Sequence, residues 1–144
     1  MEVKIKRLSD TAIMPTYGSE FAACVDLYAD TNKEIIIPAH ETVKIGTGWA
    51  FQPPEGYCGL IFARSGLATK NGLRPSNCVG VCDEDYTGEY IVALHNDTNS
   101  EKILYHGDRI AQLMFVPINR IKLIETNELN KTVRNDGGFG STGK

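Results

Sequence analysis

Short stretches in which apolar and polar residues alternate, separated by clusters of turn-forming residues, constrain the fold of this chain more than any other feature. The clearest runs from Thr42 to Phe51, where Val43, Ile45, Thr47, Trp49 and Phe51 alternate with smaller or polar neighbours. That is the period of a half-buried strand. Further strands are predicted over Val3 to Leu8, Glu34 to Ile37, Tyr57 to Arg64, Glu89 to His95, Lys102 to Tyr105, Arg109 to Val116 and Ile121 to Thr126. Turn signals fall between them: Pro53-Pro54-Glu55-Gly56, Asn96-Asp97-Thr98-Asn99 and His106-Gly107-Asp108. Only Ser65 to Lys70 offers a turn or two of helix. Many short strands in 144 residues predict an all-β sandwich or jelly roll, because two facing sheets bury both sets of inward side chains.

The length fits one domain with a real hydrophobic core. We place it over 1–132, followed by a separate C-terminal segment over 133–144. An apolar fraction of 42% and a charged fraction of 23% exclude a disordered or fibrous class. The net charge of −3 gives no electrostatic case for general nucleic-acid binding, so an anionic ligand would need local basic residues and a metal ion. No apolar run approaches a membrane span, and the charged start from Met1 to Arg7 has no apolar stretch behind it. These features predict a cytoplasmic protein with no membrane partner, with diffusion into a nucleus as an alternative. Cys24, Cys58, Cys78 and Cys82 lack CxxC spacing, so reduced thiols are expected, and Cys78 and Cys82 with His95 or His106 do not have the spacing of a structural zinc site.

Five segments carry residues suited to chemistry. The tail from Arg134 to Gly143 has four glycines in ten residues, which makes an ordered resting conformation costly. It also offers a guanidinium, the Phe139 ring, the Ser141 and Thr142 hydroxyls and open backbone N–H groups near Gly140, which suit phosphates and a base. It reads as a lid or as a loose terminus. Arg64-Ser65-Gly66 stands where a strand ends and a helix begins, so Ser65 is expected to cap the first turn beside an anion-binding arginine; an exposed arginine and an ordinary cap are the plain alternative. Gly80 to Glu89 is an apolar strand turning through the acidic tip of Asp83, Glu84 and Asp85. It can hold Asp83 rigidly as a general base or form a solvated turn. Gln112, among apolar neighbours, faces either a pocket, where its amide could orient a water, or solvent. Asp26, embedded in small and apolar residues, reads most simply as the partner of a nearby arginine.

In this order the segments resemble the trimeric dUTP pyrophosphatases, or dUTPases, over nearly the whole chain. The matching motifs are Ala22 to Leu27, Gly59 to Ala68 with RSGLA, Asn77 to Glu89 with GVxDxDYxGE, Gly107 to Gln112 as GDRIAQ, and Arg134 to Gly143 ending GGFGSTG. The resemblance implies a β jelly roll assembled as a homotrimer, with three sites at subunit interfaces, each built from all three chains. It implies Mg²⁺-assisted hydrolysis of dUTP to dUMP and pyrophosphate, which keeps dUTP low and supplies dUMP for dTTP synthesis. Asp83 would activate the attacking water, and Gln112 would lie near the α-phosphate and that water. Arg64, Ser65 and Gly66 would bind phosphates. Asn77 and the backbone near Gly80 and Ile91 would read uracil, and Tyr86 would lie against the deoxyribose. Arg134 would reach the terminal phosphate and Phe139 would stack on the base, with Gly140 and Ser141 in the closing tail. Asp26 would touch the metal only through water, or act structurally.

The chain departs from the family pattern at Cys24, Cys82, Thr87 and Asn135. Cys24 stands in place of a glycine, so the backbone there cannot need glycine-only dihedrals. Cys82 replaces an aliphatic residue before Asp83, where a thiol is a small hydrophobe open to oxidation. Thr87 replaces a longer polar or basic residue, with consequences for trimer contacts. Asn135 replaces a glycine and tolerates left-handed dihedrals. Two other functions compete: a dCTP deaminase on the same architecture, and a non-catalytic module that binds a protein through the site or the trimer surface.

Overall fold

The computed structural model describes residues 1–138. Among them are eleven strands and one short helix: β1 Lys4–Arg7, β2 Thr16–Tyr17, β3 Val25–Tyr28, β4 Ile35–Ile37, β5 Thr42–Gln52, β6 Tyr57–Phe62, α1 Ser65–Asn71, β7 Leu73–Pro75, β8 Val79–Cys82, β9 Glu89–Asn96, β10 Lys102–Leu104 and β11 Arg109–Pro117. A four-stranded sheet in the order β1-β5-β9-β7 faces a five-stranded sheet in the order β2-β3-β11-β6-β8, and β10 pairs with β4 in a small third sheet. Every pairing is antiparallel. The fold is therefore the all-β jelly roll that the alternation predicts. No helix among the described residues is long and apolar enough to cross a membrane.

Inward residues from both sheets make one core. Ile45, Trp49, Phe51, Tyr90, Val92 and Leu94 come from the first sheet and Leu27, Ile61, Ile110 and Leu113 from the second. Fully burying one such aliphatic side chain stabilises the fold by about 1.5–3 kcal/mol, so this cluster is what holds the two layers together. Strand β5 follows its predicted alternation as far as Thr47; beyond it Gly48 and Ala50 are buried as well. The register explains this. Gly46 pairs with Ile91 and Ala50 with Glu89, so three residues of β5 face Tyr90 alone. The bulge places Gly48 at φ +70°, and a Cβ there would lie 2.5 Å from that of Ala12.

Two expectations are corrected. No strand forms over Ile121 to Thr126: residues 118–138 contain no strand, and Ile121, Leu123 and Ile124 are exposed. A strand needs a neighbouring edge, and no edge among the described residues pairs with this segment. Nor does Ser65 cap the helix. Arg64 takes the cap position in extended conformation with no side-chain cap bond, and Ser65 is the first helical residue, its carbonyl accepting from Thr69 Oγ1 at 2.6 Å.

Candidate active site

Strand β3 lies beside β11, and β11 beside β6, so the centre of the five-stranded sheet aligns three chemistry-bearing segments. Gln112 pairs across β11 with Asp26 on one side and Phe62 on the other. The chain then leaves β6 and enters α1 at Arg64, Ser65 and Gly66. These residues line a cleft of about 240 Å³ together with Gly18, Cys24 and Arg109.

Asp26 is the electrostatic hub of that cleft. Its Oδ1 accepts from Arg64 Nε at 2.9 Å and its Oδ2 from Arg109 Nη1 at 3.1 Å. Arg64 Nη1 also donates to the Arg109 carbonyl at 3.1 Å. The carboxylate is buried while the two guanidiniums are partly exposed, so the arrangement holds two cations at the cleft mouth with a single buried anion beneath them. The local excess is positive in a chain of negative net charge, which favours an anionic ligand. The arginine partner expected for Asp26 is thus present twice over. Arg109, in the GDRIAQ segment, was not among the predicted site residues; the only signal for it was a cation at the start of a strand bearing Gln112.

Gln112 faces the cleft rather than bulk solvent, and its Nε2 donates to the Ala63 carbonyl at 2.9 Å. That bond fixes the amide plane against the end of β6. Ser65 and Gly66 are exposed at the helix start. Burial, and then the Asp26 carboxylate, push the Cys24 thiol up, so it lines the cleft as an uncharged group at neutral pH. Cys24 is absent from the residues of positive φ, as the replacement of glycine requires.

A second group gathers on the β8–β9 hairpin. Asp83 follows the last residue of β8, and its carbonyl accepts from the Tyr86 N–H at 3.1 Å to close the acidic turn. Asp83 is exposed, Glu84 is tied to Arg120 at 2.7 Å, and the Tyr86 hydroxyl donates to the Glu89 carbonyl at 2.8 Å. Asn77 lies at the entrance to β8, its Nδ2 3.6 Å from where a Cβ on Gly80 would be. Ile91 projects outward from β9. Burial pushes the Cys82 thiol up, so beside Asp83 it behaves as the small hydrophobe expected.

Within one chain the two groups remain separate, since none of the hairpin residues lines the cleft that holds Arg64 and Gln112. Arg134 lies apart from both, its Nε donating to the Gly137 carbonyl at 2.7 Å in a local turn where Asn135 takes φ +43°. The left-handed asparagine matches expectation. Phe139, Gly140 and Ser141 lie outside the described residues. No group of three or more His, Cys, Asp or Glu side chains among the described residues is placed to hold a metal ion, and both Asp26 oxygens already accept from guanidiniums.

The profile of the dUTPase family matches residues 10–143. The chain belongs to the dUTPase family. A deoxyuridine 5'-triphosphate nucleotidohydrolase from Hydrogenobaculum sp. is 41% identical over 143 residues, covering 99% of each chain. One from Nautilia profundicola is 42% identical over 144 residues and the full length of both. Among solved structures, the dUTPase of Staphylococcus bacteriophage 80alpha with dUPNHPP has a TM-score of 0.89 at 27% identity, covering 99% of each chain. As a dUTPase, the protein is a dUTP diphosphatase, a nucleoside triphosphate hydrolase.

Proposed function

We propose that this dUTPase converts dUTP and water to dUMP and pyrophosphate by in-line attack of a water molecule on the α-phosphorus. Asp83 accepts the proton of that water as the new O–P bond forms, and the bond to the bridging oxygen breaks to release pyrophosphate. This reaction needs a positioned nucleophile and charge stabilisation more than covalent help. The observation that carries the reading is the cationic cleft formed by Arg64, Arg109, Ser65, Gly66 and Gln112 in a chain that matches the family over residues 10–143. Arg64 and the start of α1 bind phosphate oxygens there. Gln112, its amide plane set by Ala63, holds the α-phosphate and the attacking water in line.

Asn77 and the backbone at Gly80 and Ile91 read the uracil edge and leave no room for a thymine methyl. Cytosine presents a donor where the site also donates, and an unmatched buried polar group costs about 1–3 kcal/mol. Tyr86 lies against deoxyribose and excludes a 2'-hydroxyl. Arg134 reaches the terminal phosphate and Phe139 covers the base, with Gly140 and Ser141 supplying backbone donors as the tail closes. Because the cleft and the hairpin are apart within one chain, a homotrimer that juxtaposes them across interfaces completes each site.

Mg²⁺ fits as an ion carried by the triphosphate and water rather than by a protein cage, since Asp26 is already neutralised by two arginines. When bound, it neutralises phosphate charge and fixes the chain of phosphates in one conformation. Asp26 then meets it through water at most. The deciding experiment is pyrophosphate release from dUTP, UTP, dCTP and dTTP with and without Mg²⁺. Rapid release from dUTP alone, dependent on Mg²⁺, is expected; ammonia from dCTP or no turnover of any nucleotide would overturn the proposal.

A further inference from the structure

Behind Tyr86 stands a second tyrosine that the proposed reaction does not use. Tyr90, the second residue of β9, is 1% exposed, and its hydroxyl meets no oxygen or nitrogen partner among the described residues, only the neighbouring Cys82 thiol. Burial, and then the neighbouring Cys82 thiol, push its phenol up, so it is uncharged at any physiological pH. A thiol is a weak partner for a buried phenol oxygen, and phenylalanine would fill the same core volume without that oxygen. What the position requires is the ring.

The ring links core to surface. On its inner side it packs on Phe51, with centroids 4.5 Å apart, and Phe51 in turn lies 6.1 Å from Phe115 of the other sheet. On its outer side it stacks with Tyr86 at 5.9 Å and an interplanar angle of 27°. Room for it comes from β6, where a Cβ on Gly59 would lie 3.0 Å from the Tyr90 hydroxyl and 3.3 Å from Leu113 Cδ1. Tyr86 is therefore held from two directions by adjacent residues of β9. Its hydroxyl donates to the Glu89 carbonyl, and its face rests against Tyr90. Gly88 leaves the ring its place, since a Cβ there would lie only 2.8 Å from the Tyr86 hydroxyl. A half-exposed ring that is to reject one extra hydroxyl must be fixed to a fraction of an ångström, and the buried ring of Tyr90 is stacked behind it.

We propose that Tyr90 is a positioning residue for sugar selection: its buried ring sets how far Tyr86 projects over the sugar and so tightens discrimination between deoxyribose and ribose. This rests on the reading of Tyr86 as the sugar filter. The test compares kcat/KM for dUTP and for UTP in the full-length protein and in Tyr90→Phe, Tyr90→Leu, Tyr90→Met and Tyr86→Ala. A purely structural role would lower both substrates together and leave their ratio unmoved. The dUTP:UTP ratio is expected to fall roughly tenfold in the Leu and Met variants, as a small displacement of a positioning group does, and to hold within about twofold in the Phe variant. A folded Leu or Met variant that keeps the parental ratio while Tyr86→Ala collapses it would overturn the role of Tyr90 alone. An unchanged ratio in Tyr86→Ala would remove the sugar filter and this inference with it. Should neither Leu nor Met variant fold, Tyr90→Ile is read in the same way, a fall in the ratio supporting the role and a parental ratio overturning it, while a change of more than about fivefold in the Phe variant overturns it as well.

Discussion

Two aspartates occupy opposite surroundings, and their chemistry differs accordingly. Asp26 is buried under Arg64 and Arg109 with both oxygens bonded, whereas Asp83 is exposed at the end of β8 with its carbonyl, not its carboxylate, closing the turn. A carboxylate with both oxygens engaged by guanidiniums has little left to offer a water or a metal; one exposed at the rim of a hairpin is open to a water molecule. Asp83→Asn should therefore lower kcat on dUTP by about 10²–10⁴-fold with little change in KM, measured by pyrophosphate release. Turnover equal to the parent's would remove the base role. Asp26→Ala should instead act on stability, because it leaves two arginines facing each other over a buried gap. Loss of a fully buried pair costs about 3–5 kcal/mol, and the partial exposure of both arginines reduces the expectation to about 2 kcal/mol. A urea midpoint reads this, and the Mg²⁺ concentration for half-maximal activity should stay within about threefold in Asp26→Asn. A large rise in that concentration would show direct ligation.

At the level of elements, what could be seen in the sequence is what has a period within the chain. Strands β5, β6, β9 and β11 are long enough to alternate, and they form the centres of the two main sheets. Strands β2 and β7, of two and three residues, are too short to carry a period, and β3 was visible only through its embedded aspartate. The candidate site was legible in a different way. The cleft residues Asp26, Arg64, Ser65, Gly66 and Gln112 come together as side-chain chemistry suggests. Arg109 escaped notice because a cation at a strand end ordinarily faces water. Asp83 was legible as a candidate base on its apolar hairpin, but the readings of Asn77 and Tyr86 came from family resemblance, since nothing local joins the hairpin to the cleft. Asn96 shows the same limit: its turn was legible, but not that its buried side chain donates to the carbonyls of Ile37, Pro38 and Ser100 and accepts from Thr98. The C-terminal element is the sharpest test of separable function. Arg134 sits in a turn of its own, and none of the described residues from 133 to 138 belongs to the core, so removal of residues 133–144 should leave the core in place. The shortened chain should keep its circular dichroism and assembly while kcat/KM on dUTP drops roughly a hundredfold, the scale of losing a closing segment. Loss of the fold on truncation would make the tail structural.

The whole molecule has more apolar surface than one chain can cover. Past β11, the Ile118 N–H donates to the Gly56 carbonyl at 2.8 Å and Arg120 holds Glu84, after which the chain leaves the sheets. Ile121, Leu123, Ile124 and Leu129 are then 75%, 86%, 77% and 86% exposed. Side chains of this kind gain about 1.5–3 kcal/mol each on burial, and a contiguous run of them marks an interaction site rather than ordinary surface. The alternation that predicts a strand over Ile121 to Thr126 then has a physical meaning: the segment has strand character and lacks an edge within its own chain. In the homotrimer proposed above, a second copy would supply that edge, and three such contacts would close a ring in which the cleft of one chain meets the hairpin of another. Leu123→Glu with Ile124→Glu places two charges where this contact forms, leaving every core residue of the single chain untouched. Sedimentation equilibrium should show the parent at three times the chain mass of 15.8 kDa and the double variant shifted towards one. Turnover of dUTP should fall in step with the trimer fraction if, as proposed, each site draws on more than one chain. A variant that remains trimeric would place the interface elsewhere, and a monomer with parental activity would show that one chain builds a whole site.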